Sequence, residues 1–320
     1  MFKPLNIPSL VAILLALMFL PAACTPLDTP SSKQVSVENV RNLQALGQMG
    51  QPKTDFVLPA VVTLCGEIIP LERPAVRERL EYEFLLAVNH TAQVELWRRR
   101  AKRYFPLIEA ALAKAGLPAD LKYLAVAESD LRPSVSSPAG ATGIWQFIPS
   151  TARQFGLAVN KEQDQRHLPE PLLQIGVRYL SNLHAKFGSW SLAMAAYNSG
   201  DARVAKAISS QGVDDYYQLN LPAETQRYVY RIAAIKVVLE GAGYYGFHQT
   251  AAPNLYKPKE FYETTLTFQE PITWVALARQ YQTDYKTLRL LNPHISMPIL
   301  KGGPFPIRLP QKPPTDVIGT

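Results

Sequence analysis

The stretch that decides the fold is Leu121–Leu131, whose sequence is LKYLAVAESDL. Its apolar residues, among them Leu124 and Ala125, recur at helical spacing, and this spacing places Glu128 on the same buried face. Burial and the negative end of the helix dipole both disfavour the ionised form of a carboxyl group there. We therefore expect a raised pKa for Glu128, which would make it a proton donor near neutral pH. The alternative is an ordinary carboxylate, solvated or paired with Arg132 four residues on.

The composition is that of a folded protein with a basic surface. The chain has 320 residues, 47% of them hydrophobic and 18% charged, with a formal net charge of +7. It can form one or two compact domains and is not a disordered charged tail. The densest basic run, RRRAKR at 98–103, is interpreted as a solvated helix face, with nucleic-acid binding as the alternative. Because the sequence has no zinc-ligand spacing, phosphate loop or helix-turn-helix signature, we expect no metal, no cofactor and no nucleic-acid partner.

The N-terminus has the pattern of an export signal. Lys3 precedes the apolar run Ile7–Leu20, and small residues, PAAC, follow at 21–24. The run is short for a transmembrane helix and ends cleanly. Its ending resembles a bacterial lipoprotein signal, in which the cysteine is acylated and becomes the new N-terminus. We predict a signal peptide over residues 1–23, lipidation of Cys24, and a periplasmic protein that is anchored to the membrane by lipid.

The chain has two cysteines, Cys24 and Cys65. If Cys24 is lipidated, Cys65 is a lone thiol and most simply a small buried hydrophobic residue. If it is not, a disulfide between the two becomes possible. Thr25 stands where an Asp would retain a lipoprotein in the inner membrane of enteric bacteria, and this favours the outer membrane.

The middle of the chain has a helical pattern. Residues 24–66 are rich in Pro, Ser and Gln and are predicted to be a flexible tether. Residues 67–250 are predicted to form an all-α catalytic domain, because helical periodicity with Pro and Gly at segment ends continues almost throughout. Beside the helix that carries Glu128, the predicted helices span Pro74–Val88, His90–Ala115, Pro149–Phe155, Pro171–Phe187, Ser191–Asn198 and Pro222–Glu240, with a loop at Ser134–Gly143.

The pattern changes after Pro253. Tyr262–Thr267 alternates like a strand, two short helices follow, and Phe305–Leu309 is again extended. The two helices are predicted at Thr273–Tyr281 and Asp284–Leu291. This order predicts a small, separate α+β module of βααβ type over residues 258–312.

Six motifs follow one another in order: GLP at 116–118, ES at 128–129, SPAGATGIWQF at 137–147, DQR at 164–166, AAYNSG at 195–200 and PAETQRY at 222–228. Together they resemble the lytic transglycosylases of the goose-type lysozyme fold, specifically the membrane-bound D-like branch, over residues 67–256. The resemblance implies a lysozyme-like fold and peptidoglycan glycan strands as the substrate. It also implies cleavage of the β-1,4 bond between N-acetylmuramic acid and N-acetylglucosamine.

The resemblance makes Glu128 the single catalytic carboxylate, acting first as acid and then as base. The 6-hydroxyl of the sugar would attack, giving a 1,6-anhydro product without water. Five further side chains would bind substrate: Ser137, Gln146, Tyr197, Asn198 and Glu224. Four of them have structural alternatives: Ser137 as a loop serine, Gln146 as a solvated glutamine, Tyr197 as a core tyrosine with a satisfied hydroxyl, and Glu224 as an acid that favours a helix N-terminus. A hydrolase of the same fold and a non-catalytic peptidoglycan-binding lipoprotein remain open.

One motif and the C-terminal module each depart from the pattern of the family that they resemble. Gln165 separates Asp164 and Arg166 where Glu is common, and the flanking pair is predicted to form a structural ion pair. The C-terminal module resembles a divergent LysM domain, which Asn292-Pro293 fits. The usual Gly-Asp-Thr turn is replaced by QEP at 269–271, so glycan binding and a purely stabilising role both remain open.

Overall fold

The computed structural model describes residues 56–247 and 255–310, all of which belong to one compact unit. The predicted signal peptide, Cys24, most of the predicted tether and the last residues of both predicted domains lie outside the described residues. No helix within the two described ranges is both long and apolar enough to cross a bilayer.

The first described range is helical, which confirms the prediction of a helical domain. A short hairpin precedes it, formed by β1 (Thr63–Leu64) and β2 (Glu67–Ile68). The helices are α1 (Pro74–Asn89), α2 (Thr91–Lys114), α3 (Lys122–Ser129), α4 (Pro149–Gln154), α5 (Pro169–Phe187), α6 (Trp190–Ser199), α7 (Asp201–Gln211) and α8 (Ala223–Glu240). Helix α7 was not predicted.

The predicted tether extends too far along the chain. Leu58, Val62 and Leu64 are buried in the core of the helical domain, so its folded part begins before residue 67. Cys65 and Gly66 join β1 to β2 with φ angles of 55° and 83°. Positive φ at both central positions is the geometry that favours a two-residue hairpin turn. Cys65 is buried and has no disulfide partner among the described residues, which do not include Cys24.

Helix α8 lies at the centre of the helical domain, packed against α1, α3 and α6. Its residues Ile232, Ala233 and Ala234 are fully buried. Small side chains at this point let the neighbouring helices approach closely. The end of α3, which carries Glu128, is therefore held against the side chains of α8.

The C-terminal module has the predicted order of elements. Strand β3 (Tyr262–Thr273) is followed by α9 (Trp274–Gln280), α10 (Tyr285–Leu291) and β4 (Ile299–Leu309). The two strands pair antiparallel, and both are longer than predicted. Trp274, Leu277 and Leu300 belong to a second, smaller core. The LysM-like identity of the module stays a prediction.

Candidate active site

A cleft of about 770 Å³ opens beside the C-terminal end of α3. Its walls come from α3, from the cleft loop, defined here as Ser137–Phe147, from α6 and from α8. All six side chains that the sequence singles out for chemistry or substrate binding line it: Glu128, Ser137, Gln146, Tyr197, Asn198 and Glu224. The fold thus brings together residues that lie up to 96 positions apart in the sequence.

Glu128 is half-buried in the last turn of α3. Burial raises the pKa of its carboxyl group to about 7, while the hydrogen bond from the Tyr228 hydroxyl and the charge of Arg231 lower it. The negative charge of Glu224 raises the pKa further. A carboxyl group of this kind is protonated in a substantial fraction of molecules at neutral pH. The raised pKa agrees with the expectation from the spacing of Leu121–Leu131.

The end of α3 is fixed by an unusual turn. Asp130 and Leu131 both have positive φ, 55° and 58°, although neither is glycine. The Asp130 carboxylate accepts a hydrogen bond from the Trp97 indole at 2.7 Å, and its carbonyl accepts one from Arg100 at 3.0 Å. These contacts hold a backbone conformation that side chains otherwise disfavour. Arg100, which belongs to the basic run at 98–103, thus helps to hold the end of α3.

Tyr228 and Arg231 lie three residues apart on α8, so they share a face of that helix. The Tyr228 side chain is buried and donates its hydroxyl hydrogen bond to the Glu128 Oε1. The Arg231 guanidinium lies over the Tyr228 ring at 5.6 Å. Its Nε is buried without a hydrogen-bond partner among the described residues. Both groups stabilise the ionised form of Glu128 and so oppose the effect of burial.

The cleft loop is supported from below by Arg166. Its Nη1 donates to the carbonyl oxygens of Gly140 and Phe147, at 2.7 and 2.9 Å. Asp164 binds the same guanidinium at 2.9 and 2.7 Å, so the predicted ion pair is confirmed. Gly143 has a φ of +88°, and a Cβ there would lie 2.1 Å from the Arg166 carbonyl oxygen. Only glycine therefore fits at position 143 of the cleft loop.

The two polar side chains predicted on the cleft loop have partners within it. The Ser137 hydroxyl accepts a hydrogen bond from the Ala141 N–H at 3.1 Å. The Gln146 amide nitrogen donates to the carbonyls of Val135 and Gly143, at 3.0 and 2.8 Å. These bonds shape the loop. The Ser137 O–H and the Gln146 amide oxygen have no partner among the described residues and lie on the cleft wall.

The Tyr197 hydroxyl is hydrogen-bonded to the backbone and not to Glu128. It donates to the Trp145 carbonyl at 2.6 Å, which is the structural alternative, a tyrosine with a satisfied hydroxyl. Asn198 accepts a hydrogen bond from the Thr225 hydroxyl at 2.8 Å through its side-chain oxygen. Glu224 is exposed in the first turn of α8, where an acid also favours the helix dipole. The hydroxyl that contacts Glu128 belongs to Tyr228, whose motif was noted but to which no role was assigned.

Residues 105–220 match the family model of the transglycosylase SLT domain. A segment of 152 residues is 36% identical to membrane-bound lytic murein transglycosylase D of Escherichia coli strain K12, covering 46% of this chain and 34% of that protein. A segment of 191 residues is 32% identical to the soluble lytic murein transglycosylase of the same strain, covering 55% of this chain and 28% of that protein. The matched segments thus span no more than about a third of these relatives.

Among solved structures, the chain is similar to the 70 kDa soluble lytic transglycosylase of Escherichia coli. The TM-score is 0.40 at 24% identity, and the match covers 55% of this chain and 31% of that chain.

The SLT domain match includes only part of the cleft. It contains Glu128 and the cleft loop but ends at residue 220, before Tyr228 and Arg231 on α8. The groups that tune the pKa of Glu128 therefore come from a helix outside the matched range. Within the described ranges, no cluster of His, Cys, Asp and Glu side chains is suited to hold a metal ion.

Proposed function

We propose that this chain is a peptidoglycan lytic transglycosylase, with Glu128 as its general acid and then its general base. The bond cleaved is the β-1,4 linkage between N-acetylmuramic acid and N-acetylglucosamine. One observation carries the proposal. A carboxyl group with a pKa of about 7 lies at the wall of a cleft of about 770 Å³ that both polar and apolar side chains line, and a buried phenol donates a hydrogen bond to it. The relatives named lytic murein transglycosylases support the same assignment.

The proposed reaction needs one group that both gives and takes a proton. Protonated Glu128 donates to the glycosidic oxygen as the bond from C1 to that oxygen breaks. The 6-hydroxyl of the muramic acid residue then attacks C1, and its proton passes to the ionised Glu128. The product is a 1,6-anhydro end, no water is consumed, and the enzyme returns to its starting state. Between the two transfers, Tyr228 and Arg231 stabilise the carboxylate.

The other cleft residues have roles that follow from their free atoms. The Ser137 hydroxyl, the Gln146 amide oxygen and the Asn198 amide nitrogen can hydrogen-bond sugar hydroxyl and acetamido groups. Glu224 adds an acceptor at the rim of the cleft. Tyr197 supports the cleft loop through the Trp145 carbonyl and does not take part in the chemistry.

The test is digestion of purified sacculi by the full-length protein, with mass spectrometry of the released muropeptides. We expect products with anhydromuramic ends, each lighter by one water than the hydrolysis product. Glu128→Gln should lower the rate by roughly 10²–10⁴-fold, as loss of a general acid does. Glu78→Gln, a change at an exposed glutamate on α1, is the matched control and should keep the wild-type rate.

The outcomes separate the alternatives. Products that carry an added water would make the protein a muramidase of the same fold. Binding to sacculi without release of fragments would make it a peptidoglycan-binding lipoprotein. Full activity of the Glu128→Gln variant would remove Glu128 from the mechanism.

We also propose that Cys24 is lipidated and anchors the protein to the bacterial envelope, in the outer membrane. Its support is the PAAC ending of the apolar N-terminal run and the Thr that follows. Mass spectrometry of the N-terminal peptide should find residues 1–23 removed and Cys24 acylated, and Cys65→Ala should leave both results unchanged. Cys24→Ala should keep the apolar N-terminal run, because the residue at which the signal is removed is lost. A mature N-terminal peptide that begins at Cys24 without an acyl group would contradict the proposal.

A further inference from the structure

The C-terminal module touches the helical domain through its backbone. Gln163 and Ile295 form an antiparallel bridge. On either side of it, the Asp164 N–H donates to the His294 carbonyl at 2.7 Å, and the Ser296 N–H donates to the Glu162 carbonyl at 2.8 Å. The segment at 294–296 thus adds a short strand-like edge to the segment at 162–164. Main-chain pairing of this kind fixes the register of the two segments.

An ion pair reinforces the same junction. Arg308 on β4 is buried, with only 8% of its surface exposed. Its Nη2 lies 2.9 Å from the Glu170 carboxylate in the first turn of α5, and its Nε lies 2.9 Å from the Glu263 carboxylate within the module. The guanidinium also packs over the Phe261 ring at 4.3 Å. The two carboxylates are more exposed than the guanidinium, so the loss of either one leaves a buried positive charge with one partner fewer.

Asp164 connects this junction to the cleft. Its N–H donates to the His294 carbonyl of the module, while its carboxylate accepts hydrogen bonds from the Nε and Nη2 of Arg166. Arg166 in turn holds the carbonyls of Gly140 and Phe147 in the cleft loop. A displacement of the Asp164 backbone would therefore be passed through two charged side chains to the wall of the cleft.

We propose that the C-terminal module is a positioning element of the cleft: its docking on residues 162–164 orders the Arg166 side chain and thereby the cleft loop beside Glu128. Asp164 and Arg166 are the positioning residues, and neither lines the cleft. The module is then an integral support of the proposed catalytic unit, whatever glycan affinity it has by itself. The measurement of kcat and KM that tests this inference rests on the proposed function, whereas the measurement of hydrogen exchange in the cleft loop does not.

The decisive pair of variants is Ser296→Pro and Ser296→Ala in the full-length protein. Proline removes the N–H that binds the Glu162 carbonyl, whereas alanine keeps it and changes only an exposed side chain. Hydrogen exchange followed by mass spectrometry reports the amides of the cleft loop. We expect Ser296→Pro to speed exchange there by roughly fivefold to tenfold, as loss of one supporting hydrogen bond implies. Ser296→Ala should exchange like wild type.

The same variants are assayed on soluble glycan strands. Ser296→Pro should lower kcat by a similar factor and leave KM within about twofold, because a mispositioned loop affects the reacting geometry more than overall binding. If the module only delivered glycan, Ser296→Pro would instead raise KM and leave kcat unchanged, and this result would overturn the proposal. Equal exchange of the cleft loop in the proline and alanine variants would overturn it too.

A second pair guards against local unfolding of the module by proline. Glu170→Gln removes the negative charge that pairs with Arg308 from the helical domain, while Glu263→Gln removes the one inside the module. We expect faster exchange in the cleft loop for Glu170→Gln only. Equal effects of the two changes would show that the junction does not control the loop. If wild type released no fragment from murein, the proposed function would fail, and the exchange data would still decide this inference.

Discussion

Replacing Glu128 with Gln should stabilise the protein at alkaline pH, although it removes the proposed catalytic acid. The pKa of the carboxyl group rises from its ordinary value of 4.5 to about 7 in the folded state, because burial disfavours its ionised form. The folded protein therefore holds more protons than the unfolded chain between these two values, and its stability falls as the pH rises through them. A difference of 2.5 pKa units corresponds to about 3 kcal/mol above pH 7.

Urea unfolding at pH 4 and pH 8 tests this reasoning. At pH 4 both side chains are neutral, so wild type and Glu128→Gln should have similar free energies of unfolding. At pH 8 the variant should be more stable by about 2–3 kcal/mol, since glutamine cannot ionise and can still accept the Tyr228 hydrogen bond. Glu78→Gln, at an exposed site, should match wild type at both pH values. If Glu128→Gln is no more stable than wild type at pH 8, burial does not disfavour the ionised form of Glu128.

Three further changes have expected outcomes. Tyr228→Phe removes a hydrogen bond that lowers the pKa of Glu128, so the limb of the activity profile governed by this acid should move to higher pH by about one to two units, measured as kcat/KM against pH; an unchanged limb would contradict it. Arg166→Gln leaves Asp164 without its ion pair and should lower the free energy of unfolding by about 3 kcal/mol, measured by urea titration, whereas a loss near zero would show that the loop supports itself. Gly143→Ala should destabilise the protein by about 3 kcal/mol or abolish soluble expression, because the added Cβ meets backbone 2.1 Å away; wild-type melting would refute this.

The helices could be predicted well because their signals are local. Helical spacing of apolar residues, with proline at the start and glycine at the end, predicts most helix bounds to within two residues, as for α5. The sequence does not predict α7, because glycine is more typical of the end of one helix than of the start of the next. Here Gly200, with a φ of 90°, both ends α6 and precedes α7 directly. The β1–β2 hairpin was missed because two-residue strands have no measurable alternation.

The site could be predicted as far as its residues are close in sequence. Glu128 and the cleft loop follow one another within 20 positions, so a single stretch suggests the acid and one wall. Tyr228 lies 100 residues beyond Glu128, and only the packing of α8 on α3 brings the two together. Tyr197 and Tyr228 both carry a phenol near the acid, and no spacing rule distinguishes which hydroxyl reaches it. The resemblance implies a role for Tyr197 in substrate binding and none for Tyr228, whereas the hydroxyl that is hydrogen-bonded to Glu128 is that of Tyr228.

The pKa of Glu128 depends on opposed effects, and the proposed mechanism depends on their balance. Burial alone would raise the pKa further, so that the carboxyl group would be protonated at neutral pH but would be a weaker proton donor to the glycosidic oxygen. Tyr228 and Arg231 alone, without burial, would keep it ionised at neutral pH, so that it could not start the reaction. With both, the pKa lies near 7, and neither form is strongly favoured over the other. A single carboxyl group that must act as acid and then as base requires this condition, because each half of the cycle leaves it in the form that the other half needs.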